Sequence, residues 1–235
     1  PFDYATAGGL GAREAYGENN GWIYRWDVPH NIADLIELMG GKEAFRNNLE
    51  TMYNTPLSEA KYVFYAQLPD HTGNVGQFSM ANEPSMHIPY LYNYIGEPWR
   101  TQKRVRTLLD EWFRNDLMGL PGDEDGGGMS AFVVFSMLGF YPITPGLPIY
   151  VIGTPMFERA VIETGSSKPF EVIAHNYSLT NKYIQSAKLN GKDWNQSWFE
   201  HKELMNGGKL EFTMGNTPNK NWAAGSVPPS FEMNK

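Results

Sequence analysis

Residues 119–142 read GLPGDEDGGGMSAFVVFSMLGFYP, and the fold turns on how this stretch is read. Three acidic residues, Asp123, Glu124 and Asp125, lie between a Pro-Gly turn and three consecutive glycines. An apolar run follows from Met129 to Phe140. The run is long for a strand, so it predicts a buried helix that starts near Met129 and stops at Gly139. Asp123 and Asp125 then fall on a loop just ahead of a helix N-terminus. Backbone amides and the positive end of the helix dipole favour an ionised carboxylate there, which suits a base rather than an acid. The plainer alternative is that Asp125 caps a core helix. A calcium loop of the EF-hand kind is excluded. Counted from Asp123, its fifth position is Gly127 and its twelfth Val134, where oxygen ligands are required.

Downstream the character changes. Pro142, Pro145 and Pro148 form a spacer, and short runs rich in Val, Ile, Tyr and Phe follow at 149–152, 159–164, 169–174, 181–189 and 208–214. Asn190-Gly191 is a hairpin turn signal. Residues 148–235 are therefore expected to form an antiparallel β module, with His175 and His201 at its surface and an irregular tail after Pro218.

Upstream the spacing is helical. In QFSMANEPSMHIPYLYNYIGEPWRTQ, residues 77–102, Asn-Glu-Pro halts and restarts the chain. His87, Tyr90, Leu91 and Tyr94 then recur at helical spacing. Pro98 opens a further helix whose stripe of Val105, Leu108, Leu109, Trp112 and Phe113 runs to near Leu117. Glu83 with Asn82 and Gln77 offers a carboxylate and two amide oxygens, a hard-oxygen set that suits calcium over zinc. Solvated polar loop is the alternative. Helices are also expected over 31–40, 42–53 and, briefly, from Ser58 to about Phe64, while residues 68–76 read as a polar loop with His71 at the surface. Further back, residues 13–30 read REAYGENNGWIYRWDVPH. A Glu among indoles loses hydration, which raises its pKa and keeps a proton available. Glu18, followed by Trp22 and Trp26, is the candidate. Its rival Glu14 adjoins Arg13 and has no flanking Trp, and an exposed loop Glu is the plainer alternative.

Composition bounds the partners. Net charge is −7 with no basic run, so nucleic acid is not expected. There is no cysteine, hence no disulfide or thiolate metal site. No segment reaches the roughly 18 consecutive apolar residues of a membrane span. Aromatics make up 14% of the chain, enough to supply stacking faces for sugar rings, although core packing uses most such residues. Residues 1–9, PFDYATAGG, have neither a charged nor an apolar leader region, so no signal peptide is expected. The chain is expected to be a fragment of a larger protein.

Three blocks together resemble glycoside hydrolase family 92, the calcium-dependent, inverting, exo-acting alpha-mannosidases. The first is the acidic stretch above. The second supplies Tyr16, Glu18, Asn20, Trp22, Tyr24, Trp26, Val28, Pro29 and His30 of the family pattern, and departs from it at Asn19, Ile23 and Asn31. The third is the Asn-Glu-Pro block, where Met86 replaces a His. The resemblance covers about residues 1–165. It implies that residues 1–147 are the C-terminal portion of an (α/α)6 catalytic barrel and that residues 148–235 are a C-terminal β module. It makes Glu18 the catalytic acid and Asp125, aided or replaced by Asp123, the base that activates water. It implies Ca2+ at Glu83, Asn82 and Gln77, and sugar contacts from Trp22, Trp26, His87 and Trp99. The expected partners are a mannose-containing glycan, with alpha-1,2 linkages foremost, and the N-terminal part of the same protein as a separate or nicked chain. Export, to the periplasm or outside the cell, is expected from the family. The alternatives are a glycan-binding protein without turnover and an inactive fragment of such an enzyme.

Overall fold

The computed structural model describes residues 16, 19–57 and 72–230. The chain divides into two compact units, one of Pro1–Ile88, Leu108–Phe132 and Glu232–Lys235, the other of Pro89–Thr107 and Val133–Phe231. The short helix predicted from Ser58 and the loop residue His71 lie outside the described residues.

Among the described residues the first unit is helical, with one small hairpin. Helix α1 (Gly21–Tyr24) is started by Asn20, whose side chain accepts from the amide of Trp22. Helix α2 (Ile32–Leu38) is capped in the same way by Asn31 onto the amide of Asp34. Helix α3 (Lys42–Asn54) buries Phe45, Leu49, Met52 and Tyr53 on one stripe. Strands β1 (Asn74–Val75), in the stretch expected to be loop, and β2 (Phe78–Ser79), just after it, pair antiparallel. A 3₁₀ turn, Glu83–Ser85, follows. A 3₁₀ helix, Ile88–Ile95, then opens the second unit, where sequence spacing suggested an ordinary helix.

Helix α4 (Pro98–Trp112) starts at its proline as expected but ends five residues before Leu117. Helix α5 (Gly128–Leu138) is the predicted apolar helix, stopped by Gly139 with φ of 99°. It is not buried all round. Met129, Phe132 and Ser136 are buried on one face, whereas Val134 is 58% exposed.

The second unit holds a core of its own, built on Phe140, Phe170, Phe199, Leu210 and Phe212. Phe199 sits 5.1 Å from Phe140 and 5.8 Å from Phe170, centroid to centroid. Strands β3 (Phe140–Tyr141), β4 (Ile149–Ile152) and β9 (Trp198–Glu200) form one sheet in the order β3-β4-β9. Strands β5 (Arg159–Ile162), β6 (Phe170–His175), β7 (Tyr183–Leu189), β8 (Lys192–Asp193) and β10 (Gly208–Gly215) form the other, ordered β5-β6-β10-β7-β8. A short helix, α6 (His201–Met205), leads into β10.

One expectation is corrected. The module is mixed rather than antiparallel, because β10 enters between β6 and β7 and runs parallel to β6, with Leu210 opposite Val172 and Phe212 opposite Ala174. Inward Leu210, Phe212 and Met214 alternate with outward residues whichever way the neighbour runs, so the period of two carries no information on direction. The Asn190-Gly191 turn forms, with φ of 52° and 78°, but it joins β7 to the two-residue β8 rather than to residues 208–214. His175 and His201 are exposed.

Candidate active site

The acidic loop is seated by a glycine with no room for a side chain. Gly122 has φ of 67°, and a Cβ there would lie 2.6 Å from both the Cβ and the carbonyl oxygen of Ala81. Residues 121–122 therefore press against the strand exit that leads directly into Asn82 and Glu83. From Asp123 the chain climbs into α5 through Asp125 at φ 52°, Gly126 at 63° and Gly127 at 108°. Left-handed backbone at a non-glycine residue is uncommon, so something must hold Asp125 there.

That restraint is Glu124. Its carboxylate accepts from the amide of Gly127 at 2.6 Å and from the amide of Ser130 at 3.0 Å, and its carbonyl accepts from the amide of Met129 at 3.2 Å. The Ser130 side chain and then these amides hold the Glu124 carboxyl below its ordinary pKa. The expected alternative, that Asp125 caps the helix, is therefore corrected: the neighbouring Glu124 does so. No side-chain hydrogen bond among the described residues holds Asp123 or Asp125, and both are exposed. Sequence reasoning missed Glu124. The available signal was the run of glycines after it, since tight positive-φ turns fold the chain back onto the preceding side chain.

Glu83 faces this loop from the 3₁₀ turn. Its Oε1 lies 2.9 Å from the point a Cβ on Gly128 would occupy. Glu83 is exposed, whereas Asn82 beside it is buried. Gln77 is tied to the end of α3: its amide donates to Met52 O at 2.9 Å and its Nε2 to Pro56 O at 2.8 Å. The remaining Oε1 of Gln77 is buried without a hydrogen-bond partner. Among the described residues no group of three or more His, Asp or Glu side chains could hold a metal ion. The donor atoms are nevertheless of the hard-oxygen kind that calcium takes: the Glu83 carboxylate stands against Gly128, and the Gln77 Oε1 is buried without a partner.

The aromatic residues lie deeper than a sugar platform would. Trp22 and Trp26 are core side chains, Trp26 packing edge-on to Phe45 at 5.2 Å. His87 is buried, with Nε2 donating to the carbonyl of Trp26 at 2.8 Å. Burial lowers its pKa, so the ring stays neutral. Tyr16 stacks on Tyr24 at 5.5 Å. Glu18 lies outside the described residues. Trp99 belongs to the second unit, half-buried, with Arg100 4.4 Å and Lys220 5.3 Å from its ring.

Asp123 and Asp125 are thus exposed at a braced helix start, and the Glu83 carboxylate lies against Gly128 at that start. The chain belongs to glycosyl hydrolase family 92, whose catalytic-domain model matches residues 1–216. It is 34% identical over 225 residues to an "Uncharacterized secreted glycosidase" of Arthroderma benhamiae, covering 94% of this chain and 26% of that protein. A family GH92 alpha-mannosidase from Bacteroides thetaiotaomicron, solved in complex with mannoimidazole, superposes with a TM-score of 0.88 at 33% identity over 99% of this chain and 31% of its own. A family GH92 inverting mannosidase from the same organism gives 0.79 at 36% identity, over 92% and 30%. The chain thus spans between a quarter and a third of these relatives' length. No helix among the described residues is long and apolar enough to cross a membrane.

Proposed function

We propose that this chain is part of an exo-acting alpha-mannosidase that removes terminal alpha-linked mannose from glycans with inversion. The observation that carries the reading is the division of labour in the acidic loop. Glu124 takes over the capping of α5, so Asp123 and Asp125 stay exposed beside a helix N-terminus. Asp125, with Asp123 aiding or replacing it, takes a proton from the attacking water. Glu18 gives a proton to the leaving oxygen from the other face. In an inverting enzyme the two carboxyl groups stand about 6.5–9.5 Å apart to admit that water. Of the residues assigned to sugar contact, Trp22, Trp26 and His87 are buried, and Trp99 is half-buried.

Glu83, Asn82 and Gln77 would hold calcium. When bound, the ion supplies a hard Lewis-acidic contact for vicinal hydroxyls of the terminal sugar. The same reading makes residues 1–147 the closing portion of an (α/α)6 barrel, residues 148–235 its β module, alpha-1,2 linkages the first substrates to try, and export the destination. The secreted name of the fungal relative supports the last of these.

The test is release of mannose from an aryl alpha-mannoside and an alpha-1,2-mannobiose. It is made on the chain alone and on the longer polypeptide proposed to contain it, following the first-formed anomer by NMR. Beta-mannose should appear first. Asp125→Asn and Glu18→Gln should each cost about 10²–10⁴-fold in kcat, the usual contribution of a general base or acid. Alpha-mannose as the first product, or full activity in both variants, would remove the mechanism.

A further inference from the structure

Three consecutive glycines lead into α5, and they are glycines for two different reasons. Gly126 and Gly127 have left-handed φ, and a Cβ on either would meet nothing within 4 Å. They serve the turn. Gly128 is the reverse case. Its φ is not left-handed, so the backbone would accept any residue. Yet a Cβ there would come 2.9 Å from Oε1 of Glu83, 3.3 Å from its Cγ and 3.6 Å from its Cδ. What excludes a side chain is contact with the Glu83 side chain, at Oε1, Cγ and Cδ, not with backbone. That decides the effect of adding a methyl group. Helix α5 would keep its form, since alanine is the better helix former. The Glu83 side chain, exposed on its 3₁₀ turn, would swing away.

We propose that Gly128 is a positioning residue, which lets the Glu83 carboxylate lie against the start of α5 beside the Asp123–Asp125 loop and so sets the geometry of a cation site. The proposal rests on the reading of Glu83 as a calcium ligand. A stability argument alone would favour alanine at this helix start. The three atoms nearest to the space the glycine leaves all belong to Glu83.

The test compares the 235-residue chain with its Gly128→Ala and Glu83→Gln variants by calorimetric titration with calcium chloride, thermal unfolding, and amide NMR spectra. Gly128→Ala should hold or raise Tm, shift the amide signals of Glu83, Ser85 and Met86, and weaken calcium binding at least tenfold. Glu83→Gln should abolish binding. Unchanged amide signals with unchanged affinity in Gly128→Ala would overturn the proposal, as would a collapse of Tm. If the unaltered chain binds no calcium, or Glu83→Gln binds as well, the calcium reading falls and takes the cation role with it. The amide shifts then decide separately whether Gly128 places Glu83.

Discussion

The Glu124 carboxylate is held by Ser130 and Gly127, and the buried His87 ring by the carbonyl of Trp26. The two groups should titrate in separate windows, with the same sign. His87 has its folded pKa lowered from 6.5 by burial. The unfolded chain therefore takes up the proton first, and stability falls as pH drops from 6.5 toward the lower folded value. Glu124 has its folded pKa lowered from 4.5. Its stabilisation is complete above that pH and is lost as pH falls through the lowered value. Unfolding midpoints recorded from neutral to strongly acidic pH should show two descending steps. Glu124→Gln should shrink only the more acidic one, and a midpoint flat across the histidine window would refute the role given to His87. At this scale the sequence placed the acids ahead of a helix but could not choose the cap. That choice hangs on Asp125 adopting φ of 52°, a conformation no single residue type announces. The burial of Trp22 and Trp26 was equally hidden, because an indole in a sequence reads the same whether it faces a sugar or a Phe45 across the core.

Among elements, Asn93 on the 3₁₀ helix Ile88–Ile95 ties strands to helix in the second unit. Its Nδ2 donates to Ile152 O at 2.8 Å and to Ser197 O at 3.1 Å, both bonds buried, at the ends of β4 and the entry to β9. Asn93→Ala removes that donor from both carbonyls, although Ser197 O keeps the amide of Ile152 at 2.8 Å. At about 1–3 kcal/mol for one buried group left unsatisfied, the loss should be about 1–3 kcal/mol in urea unfolding. A loss under about 0.5 kcal/mol would mean that Ile152 O finds another donor. Asn93 was not predicted, since nothing in a polar residue amid Tyr and Leu says which strand it will reach. The strands themselves were legible from alternation: 149–152 matches β4, and 169–174 and 208–214 each lie within one residue of β6 and β10. Strand direction was not legible, nor were β3, β8 and β9, at two or three residues each too short for a period to register.

At the scale of the molecule, each unit leaves large apolar side chains at the surface, Leu179 at 77% in the second among them. The second closes a core around Phe140, Phe170 and Phe199. The first leaves Leu117 fully exposed and Met118 at 78%. Both stand at a cavity of about 500 Å³, or next to it in sequence, whose walls include Trp112, Met118, Leu120 and Pro121. The cavity ends at Gly122, and none of Asp123, Asp125 or Glu83 lines it, so it is not the carboxylate site. Apolar surface of this kind normally meets a partner or promotes aggregation. The first unit also holds every candidate acid and base, so whatever steadies it steadies the chemistry. We therefore expect the 235-residue chain alone to hydrolyse mannosides poorly, to bind hydrophobic dyes, and to self-associate at high concentration. Adding the proposed N-terminal portion as a separate chain should suppress dye binding and restore turnover. Leu117→Asp with Met118→Asp should lower dye binding in the isolated chain and weaken that complementation. The decisive measurement is the activity of the purified chain by itself. A soluble monomer turning over within the ordinary enzyme range of about 1–10³ per second would show that the exposed face needs no covering and that the site is complete without a second chain.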